Sequence, residues 1–338
     1  MLVRDDSIRQ GELHSGYRLS LIQDAQFVGK FNGSFYLSEQ KIAVQLPIDQ
    51  SNKPILIAGP TACGKSELAM AIADQHGGVI VNADASQVYD CWRVLTARPT
   101  GADTLKVPHY LYGHISWKDR YSVGRWLQDL KPLLQGSERL IIIGGTGLYF
   151  QALTMGLADI PPVPEEVRLR ANQRSLAELC IDLDPVTRNQ LDTANRARVQ
   201  RAWEVMTSTG RSIIEWQETT PQPLLPISAA IAIRVDLPRA SINQRISDRV
   251  DRMLAGGVLG EVATMVPHYD TTLPAFKAIG MKELTACVIG KEAIEIAREK
   301  LLIATRQFAK RQQTWLSARM RDWDSVDLDA DNTLGNWR

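Results

Sequence analysis

Gly59-Pro60-Thr61-Ala62-Cys63-Gly64-Lys65-Ser66 is the stretch that decides the reading of this chain. It matches GxxxxGK[ST] at every fixed position. Its flanks suit the motif. Ile55-Leu56-Ile57-Ala58 before it is a short apolar run of the kind found in a buried parallel strand. Glu67 to Ala73 after it reads as a helix. Glycines let the backbone N–H groups turn inward around phosphate oxygens. The helix N-terminus adds partial positive charge. Lys65 would neutralise the outer phosphates, and the Ser66 hydroxyl could hold Mg²⁺. The motif indicates a bound di- or triphosphate without saying which one.

Working outward, Val79-Ile80-Val81 reads as a second strand ending at Asn82-Ala83-Asp84, and Leu140 to Ile143 as a third ending at Gly144-Gly145. Ile231 to Val235 reads as one more. Strands alternating with helices predict an α/β fold: a P-loop NTPase-like parallel sheet flanked by helices. After Gly156 the texture changes. Pro161, Pro162 and Pro164 mark a hinge. Residues 165–218 hold no convincing strand and are rich in Arg, Leu, Ala and Glu, which predicts an all-helical insertion. The expected organisation is an N-terminal extension over 1–52, poorly ordered apart from a short hairpin around Lys30 to Leu37. A catalytic core over 53–158 and 225–325 is interrupted by the insertion at 159–224, and a tail covers 326–338. Long helices are expected near 240–256 and 291–320.

The 338 residues are enough for one large domain or two moderate ones. Hydrophobic residues make up 44% and charged residues 23%, which excludes a fibrous or largely disordered chain. The net charge of +1, from 39 basic and 38 acidic residues, argues against a wholesale polycation and leaves room for a local basic patch. Cys63, Cys91, Cys180 and Cys287 are widely spaced, without a CxxC pair, as expected for reduced thiols in the cytoplasm. No apolar run approaches the ~20 residues of a membrane span, and MLVRDDSIRQ lacks the apolar core of a signal peptide. The five histidines show no metal-ligand spacing.

A hydrolysing NTPase usually carries an acidic residue at the end of a strand to hold Mg²⁺. The strand Leu140 to Ile143 runs instead into Gly144-Gly145-Thr146-Gly147. That points away from a motor or GTPase and toward a kinase or another transferase. Asp84 lies at the carboxyl end of its strand, where ligands bind in such sheets, and could take a proton from a nucleophile. Aspartate is also a common turn residue after strands, so position alone leaves both roles open.

Taken in order, the segments resemble the tRNA dimethylallyltransferases of bacterial type. These segments are GPTACGKS, Asn82-Ala83-Asp84 with Gln87-Val88-Tyr89, Leu95-Thr96-Ala97-Arg98-Pro99, Val107-Pro108-His109 and Gly144-Gly145-Thr146-Gly147-Leu148-Tyr149. Later blocks agree: Arg198 to Val205; Arg245-Ile246 with Arg249, Met253, Gly257 and Glu261; Ala278-Ile279-Gly280 with Lys282-Glu283; and Thr305 to Trp315. The resemblance spans roughly residues 54 to 323. It implies transfer of a dimethylallyl group from its pyrophosphate to the exocyclic amine of the adenosine 3′-adjacent to the anticodon. It also implies that Gly59, Pro60, Thr61, Ala62, Cys63, Gly64, Lys65 and Ser66 hold the pyrophosphate, with Mg²⁺ at Ser66. Asp84 would be the general base, Thr146 would line the reaction channel, and Arg245 would contact pyrophosphate. The implied tRNA contacts are Asp84, Ala85, Ser86, Gln87, Thr146, Arg168, Arg198, Arg201, Lys277, Gly280, Lys282, Lys310, Arg311, Gln312 and Trp315. The partners implied are the anticodon stem-loop of tRNA and dimethylallyl pyrophosphate, for a cytoplasmic monomer with no membrane and no stable protein partner.

The charge pattern suits an RNA partner. Arg196, Arg198, Arg201 and Arg211 lie in one short stretch whose only acid is Glu204, and seven basic residues between Arg298 and Asp322 face only Glu299 and Asp322. A charge run is usually a solvated face, and Trp315 alone has core-like spacing with Leu301, Thr305, Phe308 and Gln312. Arg245, Arg249 and Arg252 share a helix face; for Arg249 and Arg252 the residues predict an amphipathic surface helix with Asp248 and Asp251 as partners. Three positions depart from the family pattern. Ala85 replaces a serine beside the general base, Met281 replaces a tyrosine that could stack, and Arg196 replaces an aspartate. Two rivals to the main reading are a small-molecule P-loop kinase and a tRNA-binding relative that has lost catalysis.

Overall fold

The computed structural model describes residues 34–37, 40–45, 48 and 51–328. In chain order the strands are β1 (Ser34–Leu37), β2 (Gln40–Gln45), β3 (Ile55–Ala58), β4 (Val79–Asn82), β5 (His109–Tyr110), β6 (Leu140–Gly144), β7 (Ile231–Asp236) and β8 (Asp324–Asp327). The helices are α1 (Lys65–His76), α2 (Gly101–Lys106), α3 (Val123–Leu134), α4 (Gly147–Met155), α5 (Glu165–Gln173), α6 (Leu176–Ile181) and α7 (Pro185–Gln190). They continue with α8 (Arg196–Thr209), α9 (Ile213–Glu218), α10 (Arg239–Ala255), α11 (Val258–Met265), α12 (Met281–Val288) and α13 (Ile294–Arg319).

Six strands form one parallel sheet in the order β5-β4-β6-β3-β7-β8. Every residue of β3, β4 and β6 is buried. That is why these strands read as unbroken apolar runs: helices cover both faces of a parallel sheet, and no side chain alternates to water. One face packs Ile55, Ile57, Ile80 and Ile141 with α1, α10 and α12. The other packs Leu56, Val81 and Ile142 with Trp126 of α3, Phe150 of α4 and Leu316 of α13.

Between α4 and β7 the chain forms helices and no strand, with α5 to α9 all inside 165–218. These helices have their own apolar cluster, in which Val167, Ala171, Leu179, Val199 and Trp203 meet. Trp203 ties it down through its indole N–H to Asp182, 3.1 Å, while Arg174 pairs with the same carboxylate at 2.6 Å and lies over the ring. Arg196, expected from its sequence neighbours on a basic surface, turns inward. Its guanidinium donates to the carbonyls of Ala171 and Arg174 and so closes the open C-terminus of α5.

Two expectations about the ends need correction. The tail assigned to 326–338 begins too early, because β8 pairs with β7 through Val326↔Val235, and Val326 and Leu328 are buried. Residues 329–338 lie outside the described residues. At the other end, the hairpin expected near Lys30 to Leu37 is β1 with β2, antiparallel, set a few residues later. Most of the extension assigned to 1–52 lies outside the described residues.

The sheet places three strand ends side by side. Gly59 N–H donates to Gly144 O at 3.2 Å, and Ala83 N–H to Ile143 O at 2.7 Å. A Cβ on Gly144 would stand 2.0 Å from the Ala83 carbonyl oxygen. Gly144→Ala is therefore expected to destabilise the chain by about 2–3 kcal/mol, read as a lower urea midpoint at unchanged slope. A midpoint equal to wild type would show that β4 and β6 can separate here without cost.

Candidate active site

The P-loop leaves β3 and enters α1 through Gly64, whose φ of +91° caps the helix. The Arg245 guanidinium packs against that glycine: a Cβ there would meet its Nη1 at 2.9 Å. Lys65 arches back over the loop, its ammonium donating to Pro60 O at 3.1 Å. Cys63 is fully buried beneath the loop, and burial pushes its thiol pKa up while Lys65 opposes the shift. The thiol thus stays protonated, and Cys63 serves as filling. Ser66 is exposed on the first turn of α1.

The carboxylate site is assembled beside this loop. Asn82, buried at the end of β4, uses its amide to shape the turn: Nδ2 donates to Asp84 O and Leu111 O, both 3.0 Å, and Oδ1 accepts from Asp84 N–H at 2.8 Å. Asp84 Oδ1 accepts from the backbone and hydroxyl of Ser86, at 2.9 and 2.7 Å. Among the described residues nothing donates to Oδ2. Thr146 is locked to the same turn, since its N–H donates to Ala83 O and its Oγ1 accepts from Ala85 N–H at 3.0 Å. Asp84 and Thr146, 62 positions apart in the chain, thus stand together. Burial raises the hydroxyl pKa of both Tyr112 and Tyr149, and the Asp84 charge adds to the shift, so both hydroxyls stay neutral near the carboxylate.

Arg249 overturns its surface reading. Asp248 accepts from Gln244 instead, and Asp251 pairs with Arg298 at 2.6 Å. The Arg249 guanidinium reaches into the site, donating to Thr61 Oγ1 at 3.0 Å and Thr96 O at 3.3 Å. Burial pulls its pKa down and the Asp84 carboxylate opposes that shift. It is a charged group between the phosphate loop and the carboxylate. Arg252 does stay at the surface.

Glu261 of α11 also joins the site indirectly. Its carboxylate accepts from the backbone N–H groups of Arg93, Val94 and Leu95. That fixes the next residue, Thr96, whose carbonyl accepts from both Arg249 and Gln87. Gln87 Nε2 donates to Thr96 O and Ala97 O, so its carbonyl oxygen is left as the acceptor end.

The residues predicted to contact RNA divide by position. Ala85, Arg198, Lys277, Lys282, Lys310 and Arg311 are exposed, and Ser86, Gln87, Arg168, Arg201 and Trp315 are half-buried. Arg168 and Arg201 adjoin: burial lowers the Arg201 pKa, and Arg168 lowers it further against Glu204. Trp315 packs its ring against Gly147 and lines a cavity of about 210 Å³ with Arg311 and Gln312. Gln312 needs correction. It is buried with both amide ends engaged, Oε1 accepting from Thr61 N–H at 2.8 Å and Nε2 donating to Gly145 O at 2.9 Å. It braces the P-loop against the loop carrying Thr146. Gly280 is also buried, against Leu95. Met281 is fully buried in the core, so the tyrosine it replaces would not stack on RNA from this backbone position.

With this geometry in place, relatives can be compared. A family model described as IPP transferase matches residues 87–319, and one described as isopentenyl transferase matches 53–112. A tRNA dimethylallyltransferase of Roseobacter denitrificans is 56% identical over 273 residues, covering 81% of this chain and 98% of that protein. One from Ruegeria sp. is 54% identical, covering 85% and 98%. The chain belongs to the tRNA dimethylallyltransferase family. Among solved structures, the crystal structure of a Staphylococcus epidermidis tRNA isopentenylpyrophosphate transferase matches with a TM-score of 0.56 and 28% identity, covering 83% of this chain and 95% of that one. Members have a P-loop NTPase-like fold, as found here.

Arg249→Gln tests the corrected assignment. It is expected to weaken binding of inorganic pyrophosphate roughly tenfold, about 1.4 kcal/mol, in calorimetry. Arg252→Gln is expected to leave it unchanged. Equal affinities for wild type and Arg249→Gln would return Arg249 to a packing role.

Proposed function

We propose that this enzyme moves a dimethylallyl group from dimethylallyl pyrophosphate to the exocyclic amine of the adenosine 3′-adjacent to the anticodon in tRNA. The observation that carries the reading is the Thr146 lock. It sets a carboxylate, one oxygen of which is unengaged among the described residues, beside a phosphate loop ringed by three cations, Lys65, Arg245 and Arg249. A phosphate loop alone would suit many transferases. A proton acceptor built against it suits a nucleophile that must lose a proton as the phosphate-bearing group departs.

In the reaction a bond forms between the amine nitrogen and the allylic carbon while the bond from that carbon to the pyrophosphate oxygen breaks. Asp84 Oδ2 takes the proton from the amine. Ser86 holds Oδ1 and so sets the rotation of the carboxylate. Loop N–H groups, Lys65, Arg245 and Arg249 stabilise the charge that develops on the leaving pyrophosphate, the kind of contribution that is often the largest in catalysis. Among the described residues no cluster of three His, Cys, Asp or Glu could hold a metal. Mg²⁺ needs none, because it often keeps its waters and binds through substrate phosphates and one or two protein oxygens. Ser66, exposed on the first turn of α1, fits that part, and the ion would supply further charge neutralisation to the pyrophosphate.

The helices α5 to α9 serve in this reading as the insertion that grips tRNA, with Arg168, Arg198 and Arg201 toward the phosphates, while 53–158 and 225–328 supply the core. Phosphate contacts position the RNA, and the target base must leave its stack to reach Asp84. No helix among the described residues is long and apolar enough to cross a membrane.

The test is transfer from labelled dimethylallyl pyrophosphate to tRNA lacking the modification, with Mg²⁺ and without ATP. Wild type is expected to transfer, and Asp84→Asn to lose about 10²–10⁴-fold in kcat while still binding tRNA. Wild type that binds tRNA yet transfers nothing would overturn the reading.

A further inference from the structure

α13 shows two faces to two different places. Gln312 and Trp315 face the active site. On its far side, Arg306 and Lys310 line a groove of about 750 Å³ against the first turns of α10, together with Arg239, Asn243, Gln313 and Arg321. Among the described residues the lining is strongly one-signed: four cations and no carboxylate.

Their surroundings make this more than a solvated charge run. Of the seven basic residues between Arg298 and Asp322, Arg298 is paired with Asp251 and Lys300 with Glu292. Of the five that form no such ion pair among the described residues, Arg306, Lys310 and Arg321 line the groove, while Arg311 lines the cavity beside Trp315. Arg306 Nε is buried and has no hydrogen-bond partner among the described residues. A buried guanidinium N–H without an acceptor is costly, and an anion entering the groove would supply one. The other polar groups suit the same ligand: Asn243 and Gln313 can donate, and Gln313 is already anchored by Nε2 to Leu237 O at 3.3 Å.

We propose that this groove binds the phosphodiester backbone of the tRNA substrate, outside the segment that enters the active site. The proposal rests on the RNA-modifying reading above and extends it to Arg239, Asn243, Arg306 and Arg321. The docked chain would then lie along the outer side of a helix whose inner side braces the site. Gln312 would brace the site from within while Arg306 and Lys310 take backbone phosphates from without.

The experiment uses the full chain with Arg239→Gln and Arg321→Gln combined, both exposed side chains. Exposed Lys131 of α3, outside the groove, is the control as Lys131→Gln. Binding of unmodified tRNA is followed against salt, alongside prenyl transfer. Removing one phosphate-binding cation should lower the slope of log K against log salt by about 0.7–0.9. The double variant is therefore expected to fall by about 1.4–1.8 in slope and to raise the KM for tRNA several-fold at low salt. Its kcat and its KM for the prenyl donor should stay at wild-type values, and Lys131→Gln should move the slope by less than about half a unit. A wild-type slope in the double variant would overturn the groove while leaving the transferase reading intact, as would an equal change in the control. Wild type that bound no tRNA would sink both.

Discussion

The close approach of β6 to the end of β4 is the constraint on which the site depends. Gly144 lets the two backbones touch, and the chain then has to leave β6 through Gly145 and Thr146 directly above Ala83. Thr146 can therefore accept from Ala85 N–H, which holds the turn bearing Asp84. The same glycine carbonyl receives Gly59 N–H, where the phosphate loop begins. A side chain at 144 would part all three connections together. Catalytic geometry and core packing are thus one problem here, solved by the absence of one methyl group.

Around that contact the protein gathers positive charge and limits its freedom to move. Gln312 ties Thr61 to Gly145, Arg249 ties Thr61 to Thr96, and Glu261 fixes the backbone just before Thr96. Each brace comes from a different helix, α13, α10 and α11. Preorganised donors stabilise developing charge because they need not reorient when it appears. The half-buried Arg249 is the clearest instance. Burial works against its charge, and Asp84 works for it. A pyrophosphate would add to the favourable side, so the guanidinium is better placed for the bound state than for the empty one.

How much of this was legible in the sequence follows from what each element buries. β3, β4 and β6 are buried on both faces, so their apolar runs were readable, and the phosphate motif carried its own flanks. β8 was missed because an edge strand reading Asp-Ser-Val-Asp buries only Val326, and β5 because it has two residues. Asp84, Thr146 and Arg245 were placed through a family pattern, since an aspartate or threonine after a strand has no chemistry of its own. Arg249 was misread for a local reason. Asp248 and Asp251 lay close by in the sequence, and only the fold shows that Arg298, 47 positions from Asp251, claims the latter. Gln312 was counted among the tRNA contacts through the family resemblance, although its spacing with Leu301, Thr305 and Phe308 was core-like. That both its ends are consumed inside the protein is a tertiary fact.

The helix α13 shows how one element can serve both halves of such a site. Twenty-six residues give it more than seven turns, and its sequence places apolar, amide and cationic side chains on separate faces. Leu301, Ala309 and Leu316 seat it in the core, Gln312 and Trp315 face the cleft, and Arg306 and Lys310 face outward. Its position is fixed by the apolar face at no cost to the other two, so cations can be exchanged on the outer face without moving the brace on the inner one. The converse does not hold. A change at Gln312 releases the phosphate loop and Gly145 together, whatever happens to the basic face. RNA affinity and catalytic geometry are therefore separable in this protein from the outside in, and coupled from the inside out.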